Sequence, residues 1–489
     1  MSAASGLSIE PLSVTISTRI AAASVFFLAV ALFYAPLAYG CTQPEMLPGL
    51  YAILGVFIVF GLASMFAARA WPDIPKIALF CVAAILVQGW WLTWNPAFAN
   101  LISSDGGVVD TTLDNIRAHS LHSMIMTSVL LAVFLVLCEI FAQGNLRRFI
   151  LLSMALSGAL ISVCGIILKL SGDPLMRYVW RPADIDWNDF AFYRYHANAG
   201  AFLNLAWPFI LVFTRRAFTQ KIGPVRRAIW IAAALACGFA LILNASKASL
   251  AIGLLILPWP FSTGLMRMKG RNLFIIGALT LFLIAGGIFA SSRLTWRGAF
   301  ERMTEAKEVS NSIDGRWVAY QQYLNAVPAV GPFGLGPGLF PLAFPYQTSP
   351  LGNVSPALRD YAHEDYLQGV LEWGWVGVVW WTALIVGGLY RAFRTYFRRE
   401  SFTSKTDRHL VLGAILAVLG TLTQAFVDFP LQIASIRLFF LVALALCWAS
   451  PRMLKKPSRA PGEHRRHYWI PVPAQYAKDS QKDLTTKSR

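Results

Sequence analysis

Long apolar runs separated by short polar breaks repeat along almost the whole chain. Crossing a hydrocarbon core of about 30 Å takes about 20 apolar residues as helix. Stretches near that standard are 20–39, 47–68, 74–94, 123–141, 149–170, 197–213, 228–243, 248–265, 273–290, 375–390, 410–426 and 433–448. The fold class expected is therefore all-α, a polytopic membrane protein of about 12 transmembrane helices. One long segment breaks the rhythm, residues 291–374. It is too polar for lipid and too rich in apolar residues to stay unfolded, so a long periplasmic helical loop is expected there. The division expected is a cytoplasmic N-terminus (1–19), a transmembrane scaffold (20–290), this loop (291–374), C-terminal transmembrane helices (375–448) and a basic, disordered cytoplasmic tail (449–489).

Composition agrees with the pattern: 56% of the 489 residues are hydrophobic and 14% charged, well under the quarter usual for soluble domains. The net charge of +17 belongs to loop arginines and lysines that fix orientation. Arg147, Arg148, Arg215, Arg216, Arg226, Arg227, Arg391 and the tail from Arg452 fall on one side, which the rule makes cytoplasmic. The loop then faces away from ATP and nucleotide sugars. No basic groove interleaved with aromatics is present, which argues against nucleic acid. The six cysteines, Cys41, Cys81, Cys138, Cys164, Cys237 and Cys447, form no CxxC motif and no disulfide framework.

Chemistry-bearing residues gather in and around the loop. His363 opens a predicted helix, HEDYLQGVLEWGWVG, with Tyr366, Leu367, Val370 and Leu371 on its face and Glu364, Asp365 and Gln368 to the side. Carboxylates beside a histidine suit general-base work. Arg316 lies in a predicted loop helix, and guanidinium groups hold diphosphate oxygens bidentately. Arg293, Arg297 and Arg302 follow an apolar run, where membrane anchoring accounts for most of them. Lys247 stands at the join of two spans and Asp428 at another outer turn, where it has Lys247 or Arg316 as prospective partners. The glycine turn 331–338 lacks the ending of a phosphate loop and suits a re-entrant bend against a substrate or another helix. Asp184-Ile185-Asp186 is the main hint of a metal. No inverted repeat or obvious mid-span charge pair points to a transporter.

Four stretches resemble the bacterial O-antigen ligase and O-antigen polymerase family. They are Ala35–Gly40, Tyr193–Asn198 leading into a span, Ser246–Ser249, and the loop with GRW, P-x-x-G-x-x-G-x-G-x-G-x-F and H-E-D-Y-L-Q-x-x-x-E-x-G-x-x-G. The resemblance implies an inner-membrane glycosyltransferase with its active site at the periplasmic face. Its donor would be an undecaprenyl diphosphate-linked glycan, its acceptor a glycan or lipid A-core, and its transfer inverting, without metal or cofactor. Membrane lipids surround such a protein, and a chain-length regulator is a prospective partner. Carried over by position, His363 matches the candidate base, Arg316 the diphosphate arginine and Asp428 an acidic residue near the last outer turn. Arg293, Arg297, Arg194 and His196 join them as prospective substrate contacts. Lys247 falls where many members have arginine, and lysine loses the bidentate fork. Glu364 stands where the family usually has asparagine. The expectation is a surface-polysaccharide polymerase ahead of a ligase, with a lipid-linked glycan flippase as the reading from another class.

Overall fold

A computed structural model describes residues 12–69, 72–97, 112–171, 189–220, 223–259, 313–343, 361–398 and 402–455. The compact unit of the chain ends at Leu454. The described residues are helical, without a β-strand: α1 (Leu12–Leu37), α2 (Leu47–Ala67), α3 (Lys76–Trp94), α4 (Leu113–Ile140), α5 (Gly144–Leu170), α6 (His196–Thr219), α7 (Pro224–Leu243), α8 (Lys247–Ile256), α9 (Ile313–Val330), α10 (Asp365–Phe397), α11 (Lys405–Gln424) and α12 (Ala434–Ala449). Among the described residues, nine helices are long and apolar enough to cross a membrane. The chain is thus a multi-pass membrane protein in character.

The expected count of twelve spans is untested at one place and differs at two. Residues 273–290 lie outside the described residues. Helix α8 is described as only 10 residues, Lys247–Ile256. Helix α11 has the length but stands outside the nine, carrying Lys405, Asp407, Arg408 and His409 in its first turns. Two boundaries also move. Helix α4 starts at Leu113, capped by the Thr112 hydroxyl, which accepts from the Asn115 amide at 3.3 Å, ten residues before its apolar run. Helix α10 starts at Asp365 and runs to Phe397, far beyond the expected 375–390.

Helices α6 and α12 form the centre, buried on nearly every side. Helix α6 packs against α5, α7, α8, α11 and α12, while α1 pairs with α2, and α3 and α4 lie against α10 and α12. Helix ends sort into two sets. One end of the bundle carries the arginines: Arg452 meets Glu139 at 3.1 Å, and Arg147 meets Asp407 at 2.9 Å. The other end holds the joins α6 follows, α7–α8, the start of α10 and the turn Pro430–Gln432 between α11 and α12.

Helix α10 is broken at Gly374 (φ 61, ψ −178). The break strips carbonyls and amides of their i→i−4 partners inside an apolar span, where water is absent and each must be satisfied by protein. The glycine turn supplies what is missing. The amides of Leu335 and Gly336 donate to the carbonyls of Leu371 (2.9 Å) and Glu372 (3.0 Å), and Val376 donates to the carbonyl of Pro332 at 3.1 Å. Gln88 of α3 donates to the carbonyls of Trp373 (2.7 Å) and Phe333 (3.2 Å). The expected bend is therefore a bend against another helix.

Backbone approaches backbone here, and only glycine allows it. Gly334 has φ +87, and a Cβ on it would strike the Glu372 carbonyl and the Gly374 amide; one on Gly374 would strike the Pro332 carbonyl and the Gly334 amide. Gly334→Ala and Gly374→Ala should each destabilise the protein by about 2 kcal/mol or more, combining left-handed strain with a clash. Gly369 has open space around it, so Gly369→Ala should be neutral or stabilise by up to about 1 kcal/mol. Thermal unfolding in detergent checks this, and equal midpoints for Gly374→Ala and Gly369→Ala would remove the role assigned to the break.

Candidate functional site

Backbone strain marks the end of the bundle opposite the arginines. Of six described non-glycine residues with positive φ, five lie there: Tyr39, Cys41, Ala191, Ala245 and His363; Arg69 is the exception. Residues held in sparsely populated conformations need surroundings that over-determine them. His363, at φ 54, shows what those surroundings are.

His363 is not on the helix that its spacing predicts. It precedes α10, which begins at Asp365 with Glu364 as its cap, so the face shared with Tyr366 and Leu367 does not include it. Its left-handed backbone is tied down from three sides. The Tyr320 hydroxyl of α9 donates to its carbonyl at 2.8 Å. The Asp365 amide, two residues on, donates to the carbonyl of Ala425 at 3.0 Å. Glu364 accepts from the amides of Tyr366 and Leu367. Burial pushes the Glu364 carboxyl above its usual range, and those two amides pull it back. Glu364 therefore does what a capping asparagine does in that place.

The imidazole is held by rings and a carboxylate. Phe429 stacks between Tyr361 (4.2 Å, 7°) and Tyr195 (5.6 Å, 4°). The His363 ring stands perpendicular to both Phe429 (4.7 Å) and Tyr195 (5.9 Å). Its Nδ1 lies 3.8 Å from Asp428 Oδ1, an ion-pair separation longer than a direct hydrogen bond. Asp428 is buried and its Oδ1 also accepts from the Phe429 amide at 3.0 Å. A carboxylate beside an imidazole nitrogen is the arrangement that orients a histidine for proton transfer.

A second polar group lies behind this one. Asp365 accepts from the Leu431 amide at 2.8 Å and from Gln432 Nε2 at 2.9 Å. Arg437, in the first turns of α12, donates to the Leu431 carbonyl at 2.6 Å and to Gln432 Oε1 at 3.2 Å. It interacts electrostatically with both Asp365 and Glu372. Glu372 is buried and accepts from the Gly338 amide and from Gln368, each at 3.1 Å. Arg437 is the lone cation in the apolar run 433–448, and an ionisable residue inside a span was the signal for it.

The residues expected at the site divide into three groups. His363 and Asp428 come together, and His196 joins them through Tyr195, whose ring lies 5.1 Å from it. Lys247 and Arg194 are exposed, and Lys247, one of the two partners weighed for Asp428, forms no ion pair among the described residues, where Asp428 faces His363 instead. Arg316 belongs to α9 one helical turn before Tyr320, with its side chain outside the described residues. Arg293, Arg297, Arg302, Asp184 and Asp186 all lie outside them. Among the described residues, no three of His, Cys, Asp and Glu gather as a metal site. The sequence reading missed Phe429, Tyr361, Tyr320, Glu372 and Arg437.

Neither the models of protein families nor the curated protein sequences contain a match to this chain.

Removing Arg437 leaves Asp365 and Glu372 without their shared counter-charge. Arg437→Leu should cost about 2 kcal/mol, the scale for losing charge-assisted hydrogen bonds to the Leu431 carbonyl and Gln432 Oε1, while Arg437→Lys should cost less. Unfolding midpoints of the purified variants measure this. Wild-type stability in Arg437→Leu would show that the carboxylates need no cation.

Proposed function

We propose that the protein is a membrane glycosyltransferase of the O-antigen ligase and polymerase type. It would transfer a glycan from undecaprenyl diphosphate to an acceptor sugar hydroxyl at the periplasmic face. The observation that carries this reading is His363, oriented by Asp428 and an aromatic frame, on the turn tied to the α9 helix that bears Arg316. The loop motifs quoted above support it further.

In this reading His363 takes the proton of the acceptor hydroxyl as its oxygen bonds to the anomeric carbon. The bond from that carbon to the diphosphate breaks, and undecaprenyl diphosphate leaves with the electron pair. The leaving group is already good, so charge neutralisation and alignment carry most of the rate. Arg316 serves the diphosphate through its guanidinium fork, and Lys247 adds a point charge from the α7–α8 join. Asp428 holds the imidazole and stabilises it once protonated.

Extension of a surface polysaccharide is favoured slightly over ligation to lipid A-core; the motifs do not separate the two, since both reactions use the same donor and loop. The inner membrane is the location this chemistry requires. A flippase for lipid-linked glycan is the reading from another class, favoured by an arginine, Arg437, within the apolar run of α12.

His363→Ala and Arg316→Ala should each lower transfer by about 10²–10⁴-fold, the usual range for a general base, with normal amounts of protein in the membrane. Near-normal activity of His363→Ala would remove it as base. Asp428→Asn should shift the acid limb of the pH profile to lower pH, because a lost carboxylate favours the neutral imidazole. Transfer should survive EDTA; inhibition reversed by Mg²⁺ or Mn²⁺ would return attention to Asp184 and Asp186. In a strain lacking the protein, single units still attached to lipid A-core indicate a polymerase, and unlinked lipid-borne polymer indicates a ligase.

A further inference from the structure

The opposite end of the bundle carries a charge imbalance that the proposed reaction does not use. Three helix ends meet there: the first turns of α5 (Arg147, Arg148), the last turns of α6 (Arg215, Arg216) and the first turns of α11 (Asp407, Arg408, His409). Asp407 is the one carboxylate in these turns, and it is fully engaged. Its Oδ2 takes Arg147 Nη2 at 2.9 Å, Thr403 Oγ1 at 3.0 Å and Arg148 Nη2 at 3.4 Å, and its Oδ1 takes Arg148 Nε at 3.4 Å. Arg147 and Asp407 are buried together, with side chains 3% and 1% exposed. Arg147 and Arg148 share that one carboxylate, so a single negative charge meets several arginines at these turns.

Arg215 Nη1 lies 3.1 Å from His409 Nδ1. A guanidinium only donates, so that nitrogen accepts, and the imidazole carries no charge to the cluster. Arg148 is one-third exposed (33%), and its Nη1 has no partner among the described residues. Arg216 is held through Nε by Gln220 Oε1 at 2.7 Å, which leaves its two outer nitrogens. Gln220 in turn donates to Thr406 Oγ1 at 3.4 Å, beside the Asp407 that holds Arg148. Two like charges from neighbouring helices, each with guanidinium donors to spare, suit the oxygens of a phosphate.

What lies beside these arginines decides which phosphate. Phe149 and Phe218, next in sequence to Arg148 and near Arg216, are 44% and 55% exposed. Arg227 of α7 sits over the Phe218 ring at 6.0 Å. Exposed phenyl rings at the edge of a transmembrane bundle match acyl chains, and the arginines match the headgroup level above them. We propose that the junction of Arg148 and Arg216 binds the phosphate of an anionic phospholipid, whose acyl chains lie along Phe149 and Phe218.

The test uses full-length protein, exchanged into nanodiscs of phosphatidylcholine alone or of an equal mixture with phosphatidylglycerol. Wild type should unfold several degrees higher in the mixture and, in native mass spectrometry, retain phosphatidylglycerol in preference to phosphatidylcholine. Arg148→Gln and Arg216→Gln should each lower that retention roughly tenfold, in keeping with the loss of charge-assisted hydrogen bonds. Arg226→Gln, an exposed neighbour, should leave it unchanged. Equal retention by wild type and both variants overturns the proposal. So does equal stability of wild type in the two lipid mixtures, a comparison that stands even where a variant fails to fold. Protection of detergent-solubilised wild type by inorganic phosphate, to the same extent as by the lipid, overturns the assignment to a phospholipid.

Discussion

An apolar span that breaks must find partners for every backbone group the break exposes, and that constraint arranges one end of this protein. Gly374 interrupts α10, and the amides of Leu335, Gly336 and Val376, with the Gln88 side chain, complete the bonding. The loop containing α9 is thereby held against α10. Because α9 carries Tyr320, which binds the His363 carbonyl, the position of the histidine rests on glycines ten and more residues away. A glycine-rich turn that looks like a ligand cradle in the sequence is here the seat of a broken helix.

The same end shows why the two polar groups have different characters. His363 and Asp428 stand among stacked rings that fix their orientation. Arg437, Asp365 and Glu372 are tied to backbone and amide groups on nearly every side, which suits a fixed scaffold better than a group that must change charge. The proposed chemistry therefore belongs to the first group, with the second holding α10, α12 and the turn 430–432 in register. Arg148 and Arg216 stand at the far end, where the surrounding lipid enters the account instead.

Apolar runs of full length were legible because hydropathy alone determines them: α1, α2, α3, α5, α6, α7 and α12 lie close to where the pattern places them. Helices α4 and α10 begin earlier because polar first turns, Leu113–Ser120 and Asp365–Gln368, extend past the apolar runs and are held by caps and tertiary contacts. His363 and Asp428 were readable as residue types at turns, but their pairing was not, since 64 intervening positions separate them and only the fold closes the gap. Phe429 and Tyr361 were hidden for a related reason: an aromatic at a membrane-proximal turn reads as an interfacial anchor until its stacking partners are seen. Arg437 was hidden by its apolar company.

The central claim is that His363 serves a transfer in which undecaprenyl diphosphate leaves as the new glycosidic bond forms. Purified protein in liposomes, given a lipid-linked oligosaccharide and no nucleotide, tests it most directly through the amounts of both products. The account predicts one undecaprenyl diphosphate released for each bond made, and neither product from the His363→Ala protein. Glycan carried across the bilayer with its diphosphate link intact, or equal release by the His363→Ala protein, would contradict it.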